Sequence, residues 1–183
     1  GNRPGSIAGE GFLAFKGPTP HAALKVQAEN MDLSDELKVP AKFNGSLLLD
    51  GTGRQYQGRV VLSNTADTRH AFRLAGDYSG NAEGATLSPI QATALGGSLN
   101  GRLKIGWTDG LKISGALSGK NLNPAKWNPD WAGIVHFDLE GDLSAPAEAP
   151  PSGSFNLTLK ESRLHGRQLT GDLRATFADN DIH

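Results

Sequence analysis

The chain has 183 residues and a mass of 19.2 kDa, room for one ordinary domain or a slice of something larger, and enough length to bury apolar surface. Its 18 basic and 19 acidic residues leave a formal net charge of −1, which excludes the electrostatic footprint of a nucleic-acid binder and a basic patch for a headgroup surface. There is no cysteine, so a disulfide scaffold, a thiolate metal site and a cysteine nucleophile are excluded as well.

No stretch approaches the apolar length of a membrane-spanning helix, and Gly1-Asn2-Arg3-Pro4 reads neither as a signal peptide nor as a native start. The expectation is that residues 1–183 form a single segment excised from a longer protein.

Period-two alternation dominates from the first third onward. Leu24-x-Val26-x-Ala28 begins it, then Phe43-x-Gly45-x-Leu47-x-Leu49, Tyr56-x-Gly58-x-Val60-x-Leu62 and Phe72-x-Leu74-x-Gly76-x-Tyr78. Leu99-x-Gly101-x-Leu103-x-Ile105-x-Trp107, Leu111-x-Ile113-x-Gly115-x-Leu117 and Val135-x-Phe137-x-Leu139-x-Gly141-x-Leu143 continue it. Phe155-x-Leu157-x-Leu159 and Leu169-x-Gly171-x-Leu173-x-Ala175-x-Phe177 close it. Such runs, separated by turn residues, predict an all-β, antiparallel fold with one apolar and one polar face.

Turn chemistry supports the segmentation. Asp109-Gly110 reads as a two-residue type I′ hairpin, while Asp50-Gly51-Thr52-Gly53 and Ser79-Gly80-Asn81 end two further strands. Asn44-Gly45 is read as strand, because Gly45 keeps phase with Phe43 and Leu47. The window Ala22 to Met31 is rich in helix formers and competes as a helix with the strand reading. Short helical turns are expected at Ser34 to Lys38 and Pro124 to Asn128, and residues 144–154, with Pro146, Pro150 and Pro151, read as a long hairpin loop. A repeat is also visible: Asn30-Met31-Asp32-Leu33 resembles Asn121-Leu122-Asn123-Pro124, and Leu95-Gly96-Gly97 resembles Leu164-His165-Gly166.

Glycine is abundant, at 24 residues, and seven glycines lie in phase with Leu and Phe on the face that ought to be filled: Gly45, Gly58, Gly76, Gly101, Gly115, Gly141 and Gly171. Each costs roughly 0.5–1 kcal/mol relative to Ala inside a strand. Either these glycines let a sheet bend tightly upon itself, or they leave room on a concave apolar surface for a guest.

The stretch Gly119-Lys120-Asn121-Leu122-Asn123-Pro124-Ala125-Lys126-Trp127-Asn128-Pro129-Asp130-Trp131-Ala132-Gly133, with the alternating strand that follows it to Gly141, resembles the TamB family of the AsmA-like superfamily. Leu95-Gly96-Gly97-Ser98-Leu99-Asn100-Gly101 leading to Trp107, and Val61-Leu62-Ser63-Asn64, are similar to recurrent units there. The resemblance covers roughly residues 30–177 and implies an elongated, curved antiparallel sheet, a β-taco or open half-barrel, with an apolar concave face. It implies the periplasm, within a protein anchored in the inner membrane and similar to bridge-like lipid transfer proteins. The implied partners are phospholipid acyl chains, neighbouring segments of the same chain, and an Omp85-type outer-membrane barrel reached through parts outside these residues.

On this reading the chain is an interior segment of a hydrophobic groove that conducts phospholipids between inner and outer membranes and so supports outer-membrane assembly. The lining residues are expected to be Leu47, Leu49, Val60, Leu62, Phe72, Leu74, Leu99, Leu103, Ile105, Ile113, Leu117, Val135, Phe137, Leu139, Leu157, Leu159, Leu173 and Phe177. Leu48, opposed in phase, is expected on the polar side. The alternatives are a structural β-domain filled by its own side chains, a guide for nascent outer-membrane β-strands without lipid cargo, and a carbohydrate-binding module, which needs Trp127 and Trp131 exposed and coplanar.

No enzyme, cofactor or metal is expected. His21, His70, His136, His165 and His183 are dispersed, with no zinc-ligand spacing. Asp77-x-Ser79-x-Asn81-x-Glu83 begins like a calcium loop, but Ala82 stands where such a loop needs Gly. There is no nucleophile elbow, P-loop or dinucleotide fingerprint.

Overall fold

A computed structural model describes residues 5–15, 19–67, 69–178 and 181–182. Strands follow one another in the chain and hydrogen-bond in that same order: β1 (Ser6–Ala14), β2 (His21–Asp32), β3 (Lys42–Thr52), β4 (Gln55–Asn64), β5 (Phe72–Gly80), β6 (Gly84–Ala94), β7 (Gly97–Gly106), β8 (Leu111–Leu122), β9 (Gly133–Ala145), β10 (Ser152–Leu164), β11 (Arg167–Ala178) and the two-residue β12 (Asp181–Ile182). All pairings are antiparallel, and β1 and β12 stand at opposite ends of one open, curved sheet that does not close into a barrel.

The apolar residues of the competing helical window alternate towards one side in β2, so Ala22 to Met31 is strand. Three strands go beyond the nine alternating runs: the two-residue β12, and β1 and β6. β1 carries Ile7, Gly9, Gly11 and Leu13 in phase, and β6 resumes after Ser88-Pro89, which interrupts its alternation. The short helical turns form where expected, as α1 (Ser34–Leu37) and a 3-10 turn (Pro124–Lys126) whose first backbone donor is met by the Asn123 side chain, Ala125 N–H to Oδ1 at 3.0 Å.

Turn details differ from expectation at three places. The loop expected over residues 144–154 narrows to 146–151, because β9 runs on to Ala145 and β10 starts at Ser152. β3 runs on through Asp50-Gly51-Thr52, and the reversal falls at Gly53-Arg54, where Gly53 supplies φ +64°. Asp109-Gly110 is not type I′: Gly110 has φ +96° but Asp109 is not left-handed, and the connection occupies Trp107 to Gly110. Type I′ conformation appears instead at Leu95-Gly96 (φ 51° and 77°) and His165-Gly166 (φ 49° and 75°), the two copies of the sequence repeat. The other repeat is equally literal, since Asn30 and Asn121 both take positive φ (52° and 56°) at bulges in β2 and β8.

One layer of sheet leaves little that is fully enclosed. The chain exposes 12390 Å², against about 8,400 Å² for a compact monomer of its mass. The only buried apolar residues among those described are Ala41 and Leu122. Two polar residues act as buried knots. Asn64 Oδ1 accepts from the amides of Lys42 (2.8 Å) and Ala66 (3.1 Å), and its Nδ2 donates to the carbonyls of Pro40 and His70, each at 3.1 Å. Ser162 fills the β10 bulge, its Oγ accepting from the His136 amide at 2.9 Å.

The in-phase glycines have a packing explanation. Gly45, Gly58, Gly101, Gly115 and Gly141 stand directly across from Leu62, Tyr78, Leu117, Leu103 and Phe155. In each case the bulky neighbour lies against the place a Cβ would occupy, as Leu87 does for Gly76. Most of the room above these glycines is therefore filled by the protein's own side chains, laid flat along the sheet, and is not left vacant for a guest. At Gly58 an added Cβ would also run into the Leu48 carbonyl closer than any real contact, whereas Gly171 has nothing within 4 Å. We expect Gly58→Ala to cost about 1–3 kcal/mol and to lower Tm by roughly 5 °C in a thermal melt, and Gly171→Ala to leave Tm essentially unchanged.

Candidate functional site

In an antiparallel ladder, residues directly opposite share a face, so the registers can be followed from edge to edge. One row runs Gly9, Val26, Leu47, Val60, Gly76, Ile90, Gly101, Leu117, Leu139, Leu157, Leu173. A second runs Gly11, Leu24, Leu49, Gly58, Tyr78, Leu87, Leu103, Gly115, Gly141, Phe155, Ala175. The third is Ile7, Ala28, Gly45, Leu62, Leu74, Ala92, Leu99, Gly119, Phe137, Leu159, Gly171, and the fourth is Leu13, Ala22, Gly51, Tyr56, Gly80, Ala85, Ile105, Ile113, Leu143, Gly153, Phe177. Across eleven strands these rows contain only Gly, Ala, Val, Leu, Ile, Phe and Tyr.

Their only heteroatoms outside the backbone are two tyrosine hydroxyls, and both are tied down. Tyr78 donates to the Leu48 carbonyl at 2.8 Å and Tyr56 to that of Gly84 at 3.3 Å, each reaching two strands away across a glycine, with ring centroids 6.3 Å apart. Partial burial, and then the neighbouring Tyr56, hold the Tyr78 hydroxyl above the ordinary phenol value of 10.0. Towards one end of the strands Phe43 and Phe72 meet edge to face at 6.1 Å over Asn64.

Bulges keep this face in phase. β2, β6, β8 and β10 each insert one residue against their partners, so Ala28 is followed on the face by Met31, Leu87 by Ile90, Gly119 by Leu122 and Leu159 by Ser162. Without the extra residue, everything beyond it would turn to the polar side.

All the lining residues anticipated from the sequence fall on this one surface: Phe72 and Val135 lie beside the four rows, opposite Asn64 and Leu122, and the others lie within them. They are half-buried, except Leu173 at the β11 edge, which is 54% exposed. Leu48 is on the opposite face, 45% exposed. Sequence alternation missed Ile7 and Leu13 in β1 and Leu87 and Ile90 in β6. The spacing Leu87-x-x-Ile90 around a proline, read as a bulge, is the signal that finds the latter pair.

The polar face is a network of cross-strand partners. Arg59 pairs with Asp77 at 2.7 Å and Lys25 with Glu10 at 3.4 Å; Lys160 bonds Asp138, Ser154 donates to Asp142 at 2.6 Å and Thr158 to Asp172 at 2.6 Å. The Lys160 ammonium, and then the Ser118 hydroxyl, hold the Asp138 carboxyl below the usual range. Open hollows lie on this side, one of about 810 Å³ beside Phe12, Lys25, Leu48, Arg59 and Asp77 and one of about 450 Å³ beside Arg102, Glu140 and Asp142.

The remaining motifs are dispersed. His21 bonds Asp50 and His70 bonds Asp67, while His136 accepts from the Asn121 amide at 3.4 Å; His183 lies outside the described residues. Asp77 is engaged by Arg59, and Asn81 turns back to accept from the Glu83 and Gly84 amides. Trp127 and Trp131 are exposed (60% and 48%), but their rings cross at 87°, so they form no coplanar platform for a sugar.

These features define a class: an open meander of antiparallel strands offering a wide uncharged surface. A family model described as TamB, N-terminal domain, matches residues 16–176, and the chain belongs to that family, a TamB/AsmA-like family of lipid transport or outer-membrane assembly. No curated protein and no solved structure matches the chain. Among the described residues no helix is long and apolar enough to cross a membrane.

The strap across Gly58 is testable by ultraviolet titration of the native protein and its Tyr78→Phe variant. The difference between the two curves isolates Tyr78 and should show a midpoint above 10.0. A raised folded value means the strap's stabilisation is present below the unfolded phenol pKa and is lost as pH rises through the folded one.

Proposed function

We propose that this chain is a segment of a hydrophobic groove that conducts phospholipid acyl chains between the inner and outer membranes, in the periplasm and as part of an inner-membrane-anchored protein. The observation that carries the proposal is the set of four rows without a charged or free polar side chain. Four rows set two residues apart along the strands, at about 3.3 Å per residue, make this surface roughly 20 Å long, and eleven strands at about 4.8 Å make it some 50 Å wide. That accommodates an acyl chain in any lateral position.

The energetic case is general. A two-chain phospholipid carries on the order of thirty methylenes, and at about 0.8 kcal/mol for each one buried, passage through water costs on the order of 20 kcal/mol. A continuous apolar surface removes that cost without holding any one lipid. Because both tyrosine hydroxyls of the rows, and the buried Asn64 and Ser162 beside them, are already hydrogen-bonded, no group is left to select a headgroup, so the conduit is unselective. On this reading the apolar face lines the inside of the groove, and the tyrosine straps and the Phe43–Phe72 contact, which draw alternate strands together on the apolar side, support it. An Omp85-type barrel is engaged through other parts of the protein.

A photo-crosslinking residue at Leu103 or Phe137 of the full protein should capture phospholipid in cells, and one at Leu48 should not. Leu103→Asp or Phe137→Asp should block passage, since a charge in hydrocarbon costs about 2.5–3.5 kcal/mol. Equal capture at Leu48 and Leu103, or none at either face position, would contradict the proposal.

A further inference from the structure

The chain has two tyrosines, and each opens the same three-residue unit: Tyr56-Gln57-Gly58 in β4 and Tyr78-Ser79-Gly80 in β5. Antiparallel pairing sets the two units head to tail, so Tyr56 stands opposite Gly80 and Gly58 opposite Tyr78. Each ring therefore lies over a residue without a side chain, its hydroxyl end filling the place where that glycine's Cβ would be.

Having crossed the glycine, each hydroxyl reaches the strand beyond. Tyr78 passes over β4 to donate to the Leu48 carbonyl of β3 at 2.8 Å, and Tyr56 passes over β5 to donate to the Gly84 carbonyl of β6 at 3.3 Å. The straps leave one strand pair in opposite directions and tie four consecutive strands, β3 to β6, on the apolar side. A carbonyl oxygen has two lone pairs, so each acceptor takes a tyrosine without leaving the ladder. A tether across two strand spacings, about 9.6 Å in a flat sheet, shortens the face that carries it relative to the other. Among the described residues the ion pairs of the polar face, such as Arg59–Asp77 and Lys25–Glu10, join neighbouring strands only.

We propose that the reciprocal Tyr-x-Gly units are a clasp that bends the sheet towards its apolar face over β3 to β6. The glycines are half of the device, since a side chain at position 58 or 80 would lift the ring off the strand it crosses. The inference rests on the strap geometry and holds whatever the face carries, so it can fail while the lipid reading stands, and the reverse.

The test measures distances between paired spin labels on the chain, whose lack of cysteine confines labelling to introduced sites. Gln27→Cys with Asn100→Cys labels the polar face, and Ala28→Cys with Leu99→Cys the apolar face, each pair lying in one ladder row from β2 to β7. Five spacings of about 4.8 Å set either pair roughly 24 Å apart along the sheet, a span that double electron–electron resonance reads. Tyr56→Phe with Tyr78→Phe keeps both rings and removes both straps. The sheet should then flatten, bringing the polar-face labels closer and moving the apolar-face labels apart by several ångströms, with each single variant giving part of the change. Unchanged distances in a folded double variant, or a change of the same sense on both faces, as uniform loosening gives, would overturn the proposal. If a thermal melt shows the double variant unfolded, the single variants are read by the same criteria.

Discussion

A sheet one layer thick has no second layer to lay over its apolar face, and that constraint organises this molecule. Cross-strand packing is all that can lower the face's exposure. The chain achieves it by setting glycine opposite bulk: Tyr78 lies across Gly58, Phe155 against Gly141, Leu117 against Gly101. The large side chains lie down instead of standing up. The surface that results is continuous, half-buried and shallow, and it stays open because the first and last strands never meet.

The opposite face and the strand ends bear the cost of that openness. Partners such as Arg59–Asp77 and Lys25–Glu10 keep the polar side wettable while adding only a little stability each, because they are exposed. Asn64 and Ser162 secure the strand ends and a bulge through hydrogen bonds that no water can replace. Separation of roles between the faces is what the proposed conduit requires: cross-strand ionic contacts such as Arg59–Asp77 and Lys25–Glu10 lie on one side, and the four rows on the other carry no charged side chain.

Much of this was legible in the sequence. Runs such as Leu99 to Trp107 and Val135 to Leu143 alternate cleanly, so their strands and faces follow directly, and so do the helical turns after Asn30 and Asn121. What escaped notice is where alternation breaks for a structural reason. β6 hides behind Ser88-Pro89, and the bulges after Ala28, Gly119 and Leu159 each add a residue that local pattern reads as a loss of phase. The role of the glycines was also beyond sequence reasoning, because Gly58 and Tyr78 are partners only once a register is known. So was Gly171, whose distinction is the neighbour it lacks.

The most direct measurement is native mass spectrometry of the protein purified without detergent. An open, uncharged face predicts that the wild-type chain carries adducts of phospholipid mass and that Leu103→Asp does not. A wild-type spectrum showing only the bare polypeptide, under conditions where added phospholipid is retained by an established lipid carrier, would contradict it.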